Sequence, residues 1–186
     1  MSVAQKSTGE ASARKVKPVV VVQKSGASKT GGLDSGFMIE KTNGAVAYRA
    51  LYTSDRTGRI EIIRHGINAA AFRELASNMG LQQKELLNAL RISQATVSRK
   101  ISDRKPLSAS DSEKVLGVAT LIGQVESMLA ESSAGEGFDA AEWVGRWLSQ
   151  PHRALGGKAP LSYLDTNEGV SLVADLLARQ QSGAYS

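Results

Sequence analysis

From residue 59 onward apolar side chains recur at steps of three and four, the spacing of one helix face, and Gly, Pro, Asp and Ser residues punctuate them. Ile60 and Ile63 share a face of a helix over 59–65, which stops at Gly66. Asn68 caps a second helix that carries Phe72, Leu75, Ala76 and Met79 on one side and ends at Gly80. Two short helices follow over 83–90 and about 94–101. Ser110 with Glu113, at capping-box spacing, opens a fifth helix that continues to about Ala130. In it Val115, Val118, Ile122, Val125 and Leu129, widened by Leu121 and Met128, form a stripe that suits a packed core better than a dimer seam. Residues 132–135 read as a break. Asp139 with Glu142 then starts a helix carrying Trp143, Val144, Trp147 and Leu148 up to the stop before Pro151; the two Trp, one turn apart, fit core better than interface. A last helix, capped by Asp165 or Thr166 with Glu168, runs to about Gln181 and ends at Gly183.

The pattern is weaker before residue 53. Thr42-Asn43-Gly44 suits a hairpin turn, while 45–52 equally begins a helix, and helix is the favoured reading. Residues 1–36 are rich in Ser, Thr, Gly and Lys with a single Leu, too little apolar surface to offset the entropy of ordering. They read as a flexible basic arm, with Val19 to Val22 an apolar stretch inside it. The predicted fold class is therefore all-α, in three parts: the arm over 1–45, a helical region over 46–133 and a second helical unit over 134–186.

Composition narrows the chemistry. The chain has 186 residues and no Cys, which removes disulfides, thiolate metal sites and a cysteine nucleophile together. Its longest apolar run, Val19 to Val22, is far shorter than a membrane helix or a signal-peptide core, so neither membrane nor export is expected. The net charge of +5 is unevenly spread. Lys and Arg exceed Asp and Glu by seven to three over 1–45 and by twelve to nine over 46–133, but fall short by four to six over 134–186. His65 and His152 lack a second ligand at metal spacing. Ser162, His152 and Asp165 make a triad only on paper, because no nucleophile elbow surrounds Ser162. No metal, cofactor or catalytic group is expected.

The stretch 83–101 places two short helices either side of a turn of three or four residues, the helix-turn-helix arrangement. Leu86, Leu90, Ile92, Val97 and Ile101 lock the pair. Gln94, Thr96, Ser98, Arg99 and Lys100 are left outward, types that donate to phosphates and base edges. Lys84, Arg104 and Lys105 are candidate phosphate contacts. The segment resembles the Cro/Xre-type DNA-binding unit, with Ser-Gln-Ala-Thr-Val-Ser-Arg opening the recognition helix. It departs from that pattern at Leu87, where a small residue is common, and at Arg91, where Gly often takes positive φ.

The C-terminal stretch reads helix, Pro stop, Gly-Gly turn, Pro-started turn, cap, helix. Trp147-Leu148, Pro151, Ala154-Leu155-Gly156-Gly157, Pro160-Leu161, Leu164-Asp165-Thr166 and Gly169-Val170 resemble the C-terminal toxin-binding domain of the Xre/MbcA/ParS antitoxin family. The likeness extends upstream through 62–67, the helix-turn-helix, Leu107 and 112–116. It implies a cytoplasmic type II antitoxin, not an enzyme, whose partner is a RES-domain toxin that degrades NAD or transfers its ADP-ribose. It also implies occlusion of the toxin's cleft by the C-terminal helix and tail, and autoregulation on operator DNA as a homodimer or a hetero-oligomer with toxin. Carried onto this chain, toxin binding falls to Arg179, Gly183, Tyr185 and Ser186, with Val173, Leu176 and Leu177 as apolar anchors or, equally, as intradomain core. The rival expectations are a stand-alone phage-type regulator and an adaptor with a vestigial helix-turn-helix.

Overall fold

The computed structural model describes residues 41–42, 45–46, 48–132 and 137–181. Residues 1–40 of the basic arm, residues 133–136 and the tail beyond Gln181 with Gly183, Tyr185 and Ser186 lie outside the described residues.

Two-residue strands β1 (Lys41–Thr42) and β2 (Ala45–Val46) pair antiparallel, with Lys41 opposite Val46 and Thr42 opposite Ala45. The hairpin alternative therefore prevails over a helix starting at Ala45, and the helix α1 spans only Tyr48–Thr53. The other elements among the described residues are helical: α2 (Arg56–His65), α3 (Ala69–Asn78), α4 (Gln83–Ala89), α5 (Gln94–Ser102), α6 (Ala109–Ser132), α7 (Ala140–Ser149) and α8 (Asn167–Gln181). Two 3-10 turns, Arg153–Leu155 and Pro160–Tyr163, lie between α7 and α8.

The caps explain where elements begin. α2 starts three residues before the expected Arg59 because the Asp55 carboxylate accepts from Gly58 N at 2.7 Å. α6 is capped by Ser108, whose hydroxyl accepts from Asp111 N at 3.1 Å, rather than by Ser110. Leu107 N donates to Ile67 O at 2.8 Å and Asn68 bridges Pro106, which holds the chain extended up to Ser108. Thr166, not Asp165, caps α8, accepting from Gly169 N at 3.1 Å.

α6 is the axis of the fold, packed by α1 and α2 on one part of its surface and by α7 and α8 on another. Between Ser112 and Val125 ten of fourteen residues are buried and the other four half-buried, so the stripe of Val115, Val118, Ile122 and Val125 is core. A buried helix needs its polar side chains satisfied. The Ser112 hydroxyl accepts from Ile67 N at 2.9 Å and Gln124 Nε2 donates to Ala174 O at 2.9 Å, tying α6 to the α2–α3 corner and to α8. One continuous core runs from Tyr48 to Leu177. α7 reaches the end of α3 only because residue 145 is Gly: a Cβ there would collide with the Met79 carbonyl.

Candidate functional site: a helix-turn-helix joined to a C-terminal helical module

α3, α4 and α5 pack together through Phe72, Leu75, Leu86, Leu90, Ile92 and Val97, none more than 6% exposed. Full burial of each such side chain contributes about 1.5–3 kcal/mol. Leu87, the residue larger than the family pattern prefers, is also buried in this core. The helix pair is thus held by apolar contact, and its polar side chains face out. Lys84, Gln94, Ser98, Arg99, Arg104 and Lys105 are exposed, while Thr96 and Lys100 are half-buried. Ser93 caps α5, its hydroxyl accepting from Thr96 N at 3.4 Å.

Three successive helices end in the same way. After α3, Gly80 N donates to Ser77 O and Leu81 N to Ala76 O; after α4, Arg91 N donates to Asn88 O and Ile92 N to Leu87 O; after α5, Arg104 N donates to Ile101 O and Lys105 N to Lys100 O. Each pair of bonds is a Schellman closure, which requires a left-handed residue just past the cap. Gly80 fills that place at φ 65°, but Arg91 (φ 49°) and Arg104 (φ 51°) fill it too. Arg91 therefore does adopt the conformation expected of Gly there, at a cost of roughly 1 kcal/mol. Lys114 on α6 supports this turn by donating from Nζ to Leu90 O at 2.9 Å, where the carbonyl end of α4 favours a cation. Sequence reasoning missed Lys114; an isolated Lys on a buried helix carries no signal until its partner is located.

The C-terminal module docks on this unit. Arg91 Nε lies 2.9 Å from Asp165 Oδ2, Ser149 Oγ donates to Glu85 Oε1 at 3.4 Å, and the 3-10 turn Pro160–Tyr163 packs on α4. Trp143 and Trp147 stack with ring centroids 6.2 Å apart, and Trp147 is buried while Trp143 is half-buried. Phe138 extends this stack at 6.1 Å from Trp143 and is 41% exposed.

The expected toxin anchors Val173, Leu176 and Leu177 are 0, 3 and 2% exposed. They form the inward face of α8, so the core alternative describes them in the free chain. The outward face of the same helix carries Leu172, Asp175 and Arg179, all exposed. An apolar cleft of about 320 Å³ opens where α6, α7 and α8 converge, lined by Met128, Leu129, Phe138, Trp143, Leu177 and Gln180 among others. The paper triad does not assemble. The Ser162 hydroxyl donates to Ala159 O at 2.7 Å, His152 Nδ1 accepts from Ala154 N at 3.3 Å, and Asp165 holds Arg91.

The fold and its surfaces thus define a class: a helix-turn-helix protein with a compact helical module built onto its C-terminal side. Residues 58–119 match the antitoxin Xre-like helix-turn-helix domain, and residues 133–183 match the antitoxin Xre/MbcA/ParS C-terminal toxin-binding domain. A protein of Sphingobium sp. (strain YBL2), named Prs ADP-ribosylating antitoxin, is 44% identical over 140 residues, which cover 75% of this chain and 88% of the relative. The chain belongs to the Xre/MbcA/ParS family of antitoxins, and its function is that of an antitoxin rather than an enzyme.

Proposed function

We propose that this antitoxin neutralises a RES-type toxin that acts on NAD, by occluding the toxin's active site, and that it represses its own operon as a dimer in the cytoplasm. The observation that carries the reading is the joint presence in one chain of the helix-turn-helix match and the toxin-binding match. The relative's name couples its antitoxin role with ADP-ribosylation, which favours ADP-ribose transfer over simple NAD breakdown as the partner's chemistry. No described helix is long and apolar enough to cross a membrane.

The outer side of α8 with Arg179 leads into the tail that holds Gly183, Tyr185 and Ser186. Arg179 supplies a charge that pairs in a phosphate-binding cleft, and Tyr185 supplies an aromatic anchor. On the other surface, Gln94, Ser98 and Arg99 read base edges, assisted by Thr96, while Lys84, Lys100, Arg104 and Lys105 neutralise phosphates.

Co-expression with the product of the adjacent reading frame tests the occlusion reading. Full-length chain should co-purify with the toxin and preserve cellular NAD, and a chain ending at Gln181 should bind without preserving it. Absence of any co-purifying partner, with NAD unchanged, would leave the stand-alone regulator as the better account. Footprinting of the chain's own promoter tests autoregulation, with two protected half-sites expected from a dimer.

A further inference from the structure

From Trp143 to Leu164 the C-terminal module contains no Asp or Glu, yet it carries Arg146, Arg153 and Lys158, all exposed. The module is acidic as a whole, so this basic segment is a polarity within it rather than a reflection of its average. Arg153 and Lys158 sit on a corner that is closed on itself. His152 N donates to Lys158 O at 3.0 Å, Gly157 N to His152 O at 3.1 Å and Lys158 N to Leu155 O at 3.3 Å. Gly156 (φ 62°) and Gly157 (φ 82°) turn the chain in two consecutive left-handed steps, and a Cβ on either would meet nothing within 4 Å. Glycine is thus demanded here by backbone angle alone, and the backbone of the corner stands open to whatever approaches it.

The corner adjoins the helix-turn-helix. Ser149, at the end of α7 and three residues before His152, has its hydroxyl 3.1 Å from Gly145 O and 3.4 Å from Glu85 Oε1 on α4, and the 3-10 turn Pro160–Tyr163 after the corner also packs on α4, which carries the exposed Lys84. A fixed basic corner beside a DNA-reading helix pair matches the commonest protein contact to a duplex, which is to the phosphate backbone and not to a base.

We propose that the 152–158 corner is a second phosphate-binding surface, through which Arg153 and Lys158 hold the DNA backbone flanking the site read by α5. The inference rests on the DNA-binding reading above and extends it from the helix-turn-helix to the C-terminal module. The module then has two working sides, one for toxin and one for DNA, and it contributes affinity without sequence preference.

The test is the salt dependence of binding by the full-length protein, with Arg153→Gln and Lys158→Gln alone and together, on operator and on unrelated duplex of equal length. Each phosphate contact contributes about 0.9 to the slope of log affinity against log salt. The expected result is a slope shallower by about 0.9 for each substitution, an equal loss of affinity on both duplexes, and recovery in Arg153→Lys with Lys158→Arg. Thermal melting identifies any variant that fails to fold, and the charge-conserving pair then decides. If the double Gln variant binds both duplexes with the wild-type slope, the surface does not touch DNA; a concurrent loss of toxin capture would assign the corner to the protein partner instead. If Arg99→Ala also leaves binding unchanged, or the wild type binds no DNA, the underlying DNA reading falls as well.

Discussion

Arg91 and Asp165 form an ion pair at 2.9 Å that joins the turn of the helix-turn-helix to the residue preceding the cap of α8. Arg91 bears left-handed strain, and Asp165, freed from capping by Thr166, supplies a partner for the strained residue. Asp165 is mostly buried but Arg91 is 79% exposed, so solvent screening keeps the pair below about 1 kcal/mol. Arg91→Gly relieves strain while losing the pair, and stability should change by less than about 0.5 kcal/mol. In an Asp165→Asn background only the relief remains, and the same substitution should stabilise by about 0.5–1 kcal/mol. Denaturant unfolding of the four proteins checks this; an identical effect in both backgrounds would show that the pair carries no coupling.

At Gly145 and Gly123 helices of the core cross so closely that a Cβ would strike the Met79 carbonyl and the Tyr48 carbonyl respectively. Gly145→Ala should separate α7 from α3 and cost about 2–4 kcal/mol, beyond the usual range for a single added methyl because backbone rather than a side chain must yield. Gly156→Ala meets open space and should cost only the left-handed strain, roughly 1 kcal/mol. Thermal melting of the two variants side by side measures the difference.

The same contrast shows how much of this molecule was legible in its sequence. Helix ends marked by Gly66, Gly80, Asn68 and Asp139 are readable because each signal is local: a positive-φ residue or a side-chain oxygen reaching an amide of the first turn. The positive φ at Arg91 is signalled only by the family pattern that places Gly there, since a long cationic side chain gives no sign of it. Ser108 and Ser110 each precede an acidic residue by three positions, and only the pairing of Leu107 with Ile67, distant in sequence, selects Ser108 as the cap. In the candidate site the outward side of α5 followed from helical periodicity. The burial of Val173, Leu176 and Leu177 depended on where α6 lies, which periodicity of α8 alone does not contain.

Because those three residues are core, their truncation should act through stability. Leu176→Ala should cost about 2–5 kcal/mol, and toxin capture should fall only as far as the folded fraction falls. Arg179→Ala, on the exposed side, should leave unfolding within about 0.5 kcal/mol of wild type while weakening capture. Pull-down at several temperatures beside melting curves separates the two effects. A capture defect of Leu176→Ala under conditions where it is fully folded would instead make it a direct anchor.

Two groups shifted by burial, Tyr48 and the half-buried Glu126, contribute to the pH response. Burial raises the Tyr48 phenol from 10.0 to about 12, against the opposing hydrogen bond donated by Asn78. Its folded value lies above its unfolded one, so the stability it contributes is complete below pH 10 and is lost as pH rises toward about 12. Burial likewise raises the Glu126 carboxyl above 4.5, although Arg49 N donates to it at 2.7 Å. The protonated form is therefore favoured in the folded chain, and this contribution declines as pH rises through the raised value. Glu126→Gln should be more stable than wild type at neutral pH, with the advantage vanishing below about pH 4, where both folded and unfolded carboxyls are protonated. Unfolding free energies across pH check both groups, with phenolate absorbance reporting Tyr48 directly.

Arg99 and Lys84 are both exposed cations of the helix-turn-helix, yet they should fail differently. Arg99 lies beyond the first turn of α5, two residues from the buried Val97, so the core fixes its direction and it can meet a base edge. Lys84 lies on α4, the helix that crosses the backbone in this arrangement. Arg99→Ala should cost about 1–3 kcal/mol on the operator and little on unrelated duplex, relaxing preference at one base pair in each half-site. Lys84→Ala should weaken both duplexes alike and lower the salt slope by about 0.9. Competition binding with operator variants changed one base pair at a time distinguishes them. If Arg99→Ala behaves as Lys84→Ala is expected to, α5 positions the protein without reading sequence, and specificity must come from Gln94, Ser98 or the deformability of the DNA.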